Sequence, residues 1–143
     1  MKPFVLFGII ALNVVMFIVT VVVGGGEIMR PHPETLVYLG GDMPLLTLGG
    51  EPWRMITAMF LHGGLIHIAM NMYCLFQGRP LESYFGHVGF AVLYIIAGLA
   101  GGLLSMPFGD PRVVSIGASG AVFGVFGAMF LSLIHISEPT RPY

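Results

Sequence analysis

Long uncharged stretches alternate with short polar ones along this chain, and the pattern by itself predicts the elements. Residues 3–26 carry no charge, and Phe4–Val23 is interrupted only by Asn13 and Thr20. A helix rising about 1.5 Å per residue crosses a hydrocarbon core of about 30 Å with a segment of this length. A cleaved signal peptide is the rival reading, because Lys2 precedes the run. The apolar region of a signal peptide spans only about 7–15 residues, and no clear small-x-small cleavage site follows, which favours a retained helix.

Residues 24–54 break the pattern. They hold Glu27, Arg30, Glu34, Asp42, Glu51 and Arg54 together with Pro31, Pro33, Pro44 and Pro52, interleaved with leucines such as Leu36, Leu39 and Leu45. That mixture predicts a segment lying in the membrane interface rather than a flexible linker. Uncharged runs return at residues 55–77, 88–106 and 113–136, separated by polar turns at 78–87 and 107–112. The expected fold class is an all-α membrane protein, a polytopic transmembrane bundle with helices over about 4–23, 55–77, 88–106 and 115–130. Lys2 and Arg79 fall on one side of such a bundle, and Arg30, Arg54 and Arg112 on the other. Acids lie among them, so charge alone assigns no orientation.

Composition agrees. Only 9% of the 143 residues are charged and 56% are hydrophobic. A soluble domain carries about 25% charged residues, so these few cannot coat a water-facing surface. A net charge of -1 leaves no basic face for nucleic acid. The single cysteine, Cys74, excludes an intrachain disulfide and a cysteine zinc cluster.

Polar side chains in a membrane helix are costly and each needs a reason. His67 and Asn71 are four apart and share a helix face. They can act as glue between helices or as chemistry, and the pair alone does not decide. His62 breaks that spacing and, followed by Gly63-Gly64, belongs at the helix entrance. A haem or metal role needs a second histidine at matched depth, and His62 is poorly placed for it.

The last uncharged run opens with Gly117-Ala118-Ser119-Gly120 and continues with Gly124, Gly127 and Ala128. One side of that helix is nearly bare backbone, which permits close approach of a neighbour. Ser119 lies near the helix start, where unpartnered N–H groups can stabilise an oxyanion. A lone serine in a membrane helix is usually structural. It is not a hydrolase nucleophile elbow either, because Ala121 stands where the second glycine belongs and no strand precedes it.

In combination these residues resemble the rhomboid family of intramembrane serine proteases. Trp53-Arg54 matches the family's Trp-Arg motif, and His62, His67 and Asn71 match its His-x4-His-x3-Asn pattern. Gly78-Arg79-Pro80-Leu81-Glu82 with Gly86 resembles the following turn, and Gly117-Ala118-Ser119-Gly120 matches Gly-x-Ser-Gly. The resemblance implies that Ser119 is the nucleophile and that His67 and Asn71 join its backbone N–H in an oxyanion hole. His62, Trp53, Arg54, Gly117 and Gly120 are then supporting positions. It also implies transmembrane protein substrates, a lipid bilayer as surroundings, no metal or other cofactor, and a multi-pass place in a cell membrane, expected to be the bacterial plasma membrane.

Rhomboids take their base from a histidine on a sixth helix, and only four helices of the expected six are readable here. Residues 131–141, Leu-Ser-Leu-Ile-His-Ile-Ser-Glu-Pro-Thr-Arg, resemble the translation of a transposase adapter used in sequencing libraries. Residues 1–130 are therefore expected to be a truncated rhomboid-like membrane domain and 131–143 an adapter-derived tail, with the general base absent from this chain. The main alternative is a rhomboid-like pseudoprotease that binds membrane clients without cleaving them. A pure binder, however, has no use for an oxyanion hole. A small transporter or haem-carrying bundle using His62 and His67 is a third reading, weakened by the lack of charges within the runs.

Overall fold

The computed structural model describes residues 2–137, with side chains as far as residue 132. Among the described residues every regular element is helical, apart from an isolated antiparallel bridge between Asp42 and Ser115. Helix α1, Phe4–Val23, has the expected bounds. Its two polar residues are buried and bond back along the helix: Asn13 Nδ2 donates to the Ile9 carbonyl and Thr20 Oγ1 to that of Met16, each at 2.8 Å. The outer face of α1 thus stays apolar, as a lipid-facing helix requires.

The first loop is ordered. It contains two short helices, α2 (Pro33–Tyr38) and α3 (Pro44–Leu48), each begun by proline, whose missing N–H costs nothing at a helix start.

The single helix expected over 55–77 is broken. Helix α4 (Arg54–Thr57) runs into a 3-10 turn, Ala58–Phe60, and helix α5 (Leu65–Gln77) then departs at 92°. The cause is local. Gly64 has φ +130°, a conformation side chains rarely adopt, and a methyl group there would strike the Met29 carbonyl. The turn is pinned to that same segment, since Leu65 N–H donates to the Ile28 carbonyl at 3.0 Å. Lack of charge marked this stretch as apolar and could not mark the bend.

The next expected boundary also moves. Residues 79–85 belong to helix α6 rather than to the expected polar turn: the helix spans Arg79–Ser105 with a kink at Gly86, where φ is +74°. Glu82 on its first turn is fully buried. Its two carboxylate oxygens accept from Val5 N–H at 2.9 Å and Leu6 N–H at 2.8 Å, and His87 Nδ1 lies 2.5 Å from Oε1. A carboxylate from the far end of the loop-and-hairpin path thus caps the N-terminus of α1.

Helix α7 covers Ser119–Ser137, four residues later than the expected start at 115. Residues before it are drawn out against Asp42 instead. The helix passes residue 130 without interruption, and residues 138–143 of the expected tail lie outside the described residues. Among the described residues two helical segments, Phe4–Val23 and Arg79–Phe108, are long and apolar enough to cross a membrane, and the bent α4–α5 pair makes a third if counted as one span. The apolar stretch Ser119–Ser132 is shorter, so length supports two or three spans where four were expected. The expected class, an all-helical membrane bundle, stands.

At the centre α7 packs on α6 through small residues. A methyl group on Gly101 would lie 2.8 Å from Gly120 Cα, and one on Gly124 would overlap Ala97 Cβ. Backbone touching backbone is the contact that glycine faces permit in lipid, where no hydrophobic force drives helices together. Around it, Leu6, Leu75, Phe90, Tyr94, Val122 and Val125 form the buried core.

Candidate active site

The approach to α7 is an extended segment held at several points. Asp42 and Ser115 exchange backbone hydrogen bonds of 3.1 and 2.7 Å, Leu45 N–H donates to the Pro111 carbonyl at 3.2 Å, and Gly117 N–H donates to that of Ala58 at 2.8 Å. Gly117 then turns the chain with φ +109°. Ser119 is the first residue of α7. Among the described residues, no backbone carbonyl accepts from the N–H groups of Ser119, Gly120 or Ala121, as expected of a first helical turn.

His67 and Asn71 reach the same place from α5. A methyl group on Gly117 would lie 2.8 Å from His67 Cε1, 2.9 Å from His67 Nε2 and 3.9 Å from Asn71 Nδ2. Glycine is thus required at position 117 both by its φ and by the ring beside it. Gly63 N–H donates to His67 Nδ1 at 3.2 Å, so the neutral ring carries its proton on Nε2, the atom facing Gly117. Asn71 Nδ2 donates one proton to the His67 carbonyl at 3.1 Å and keeps a second. Ser119, His67 and Asn71 line one cavity of about 200 Å³, with Met70, Cys74 and Phe126. Ser119 also borders a larger cavity of about 750 Å³ between α6, the 3-10 turn and the extended segment. His67 and Asn71 therefore border the same cavity as the Ser119 hydroxyl, at a helix start whose first N–H groups have no backbone acceptor among the described residues, an arrangement suited to holding a developing oxyanion.

The other expected residues lie around this centre. His62 is buried, and its ring meets that of His67 edge-on with centroids 5.2 Å apart. It packs behind His67 and does not touch Ser119's cavities. Arg54 is buried in the first loop, where Nε pairs with Glu51 at 2.6 Å and Nη1 donates to the carbonyls of Val37 and Gly41 at 2.7 and 3.1 Å. The Trp53 ring lies 4.9 Å from that guanidinium and closes over Gly40, where a methyl group would be 2.8 Å from it. Both residues therefore shape the loop that presents Asp42 rather than reaching the site. Gly120 serves the α6–α7 contact. His135, the last histidine of the chain, has a side chain outside the described ones.

Two residues around the site carry no motif of their own: Asp42 is one of several loop charges and Gly63 precedes the helix start, and both are brought there by tertiary placement. Glu82, within the motif at residues 78–82, caps α1 and does not reach the site.

The model of the Rhomboid domain matches residues 49–142. The chain is 42% identical over 108 residues to RHOMBOID-like protein 6, mitochondrial, of Arabidopsis thaliana, covering 74% of this chain and 35% of that protein. It is 36% identical over 129 residues to Rhomboid protease GluP of Bacillus subtilis, covering 90% of this chain and 24% of that protein. It is also 36% identical over 107 residues to Inactive RHOMBOID-like protein 8 of Arabidopsis thaliana, covering 73% of this chain and 30% of that protein. The fold and these matches define an all-helical membrane protein with a Rhomboid domain. The chain belongs to the rhomboid family. It spans about a third or less of the length of these relatives, which include a protease and an inactive protein.

Proposed function

We propose that this chain is the part of a rhomboid serine endopeptidase that carries the nucleophile and the oxyanion site. Ser119 Oγ attacks the scissile carbonyl of a membrane protein substrate, at a transmembrane segment near the interface. The negative charge that develops on the carbonyl oxygen is taken up by His67 Nε2–H, the free Asn71 Nδ2–H and the Ser119 backbone N–H. The observation that carries the reading is that His67, Asn71 and Ser119 line one cavity at the start of α7, where the first N–H groups have no backbone acceptor among the described residues. His62, Trp53, Arg54, Gly117 and Gly120 support them.

A serine nucleophile also needs a base within about 3 Å. His67 is committed by its tautomer to donate from Nε2, and His62 lies behind it. His135 is sixteen residues beyond Ser119 on α7, about 24 Å along the helix. The base of the Ser–His dyad is therefore assigned to the whole protein outside these 143 residues, with residues 1–130 as the rhomboid part and 131–143 as an adapter-derived tail. The proposed location is the bacterial plasma membrane; one relative is bacterial and another is named mitochondrial.

The test is labelling of the full-length protein by a fluorophosphonate in detergent or bilayer. Labelling that disappears in Ser119→Ala is the expected result. A full-length protein that retains membrane clients but never labels is instead the pseudoprotease.

A further inference from the structure

The larger cavity bordering Ser119 is walled on one side by α6 residues with little or no side chain, Ala97, Gly98, Gly101 and Gly102 among them. One charged residue faces it. Asp42 is only 3% exposed, and its backbone is fixed by both hydrogen bonds to Ser115. Oδ1 accepts from the Thr47 hydroxyl at 2.5 Å. Oδ2 is turned toward Gly102, where a methyl group would lie 3.9 Å from it, and no donor among the described residues reaches it. The nearby guanidinium of Arg54 is spent on Glu51 and on the Val37 and Gly41 carbonyls.

A tie to Thr47 needs one neutral acceptor oxygen, which asparagine would supply as well. A carboxylate oxygen without a protein donor, on an otherwise buried residue, favours a cation or a charge-assisted donor beside it. Here the unmet oxygen opens into a space of about 750 Å³ that also touches the serine. We propose that Asp42 makes this cavity a subsite for a cationic side chain, so that membrane substrates with a lysine or arginine next to the bond presented to Ser119 are selected. The inference deepens the protease reading and rests on it for what happens after binding, though the binding preference can be measured alone.

The experiment uses the full-length protein with Ser119→Ala, so that binding is read without turnover, in a neutral detergent free of lipid amines. Fluorescent transmembrane peptides carry one lysine stepped along the segment near the interface, each paired with a norleucine counterpart of similar length. At one position the lysine peptide is expected to bind about tenfold tighter, the scale of a charge-assisted hydrogen bond. Asp42→Asn, which keeps an oxygen for Thr47, should level the pair. Gly102→Met should level it too by filling the cavity, since the first added carbon there meets only ordinary contacts at 3.7 and 3.9 Å. If Asp42→Asn does not fold, Gly102→Met decides. The proposal is overturned if no lysine position binds more tightly, if the preference survives both substitutions, or if both peptides weaken equally. The same peptides given to protein with Ser119 intact separate the two readings. An Asp42-dependent preference without cleavage keeps the subsite and removes the protease.

Discussion

Gly63 donates its backbone N–H to Nδ1 of His67 at 3.2 Å, and this one bond decides what the ring offers Ser119. With Nδ1 accepting, Nε2 must carry the proton, so the ring presents a donor to the place where charge develops. The bend between α4 and α5, which breaks the expected helix, is what brings Gly63 back over its own histidine.

His67→Ala and Asn71→Ala should each lower kcat by about 10²–10³ in the full-length protein, with a smaller change in KM, because oxyanion contacts strengthen in the transition state. Steady-state cleavage of a transmembrane reporter checks this. Asn71→Ala that loses its fold while keeping its specific activity would assign the residue to helix packing.

Gly117→Ala combines two penalties, a side chain at φ +109° and a methyl group within 2.8 Å of the His67 ring. The backbone strain alone costs about 1–3 kcal/mol. The ring must also move away from Ser119, so activity should fall by more than the loss in Tm explains. A thermal melt and a cleavage assay on the same preparation measure both, and near-parental kcat would contradict the placement of His67.

Glu82→Ala should destabilise the protein by about 2–4 kcal/mol, since it leaves the buried Leu6 N–H without an acceptor, at about 1–3 kcal/mol, and the part-buried Val5 N–H at the lower end of that range. Chemical denaturation in detergent reads the change. Unaltered stability would mean that α1 finds another cap.

Much of this architecture was legible because lipid imposes simple rules. Uncharged runs located α1 to the residue, and glycine spacing after Ser119 marked a face for close helix approach. The structure corrects the expectation that this face lacks its partner in this chain, since Gly120 and Gly124 pack on α6. Hydropathy could not see the bend at Gly64, because its cause is a collision with the Met29 carbonyl supplied by a distant segment. Nor could it place Glu82, whose neighbours in sequence are a turn and whose partners in space begin α1. Ser119, His67 and Asn71 were found by motif and are brought together by the fold. The role of Arg54 as an anchor for the Val37 and Gly41 carbonyls, and the aim of Asp42, needed coordinates.

The 143-residue chain by itself should not react with a fluorophosphonate at a rate like that of a complete rhomboid, and His135→Ala should change nothing. The separation of about 24 Å along α7 leaves that histidine far from the hydroxyl. Ser119-dependent labelling of the isolated chain at a full rate would show that the 143 residues contain a base after all.

The central claim is that Ser119 is a nucleophile rather than a packing residue, and its most direct test is cleavage of a transmembrane reporter by the full-length protein and its Ser119→Ala variant. The account predicts that the variant folds with unchanged Tm and releases no product. A Ser119→Ala protein that cleaves the reporter near the parental rate would contradict it.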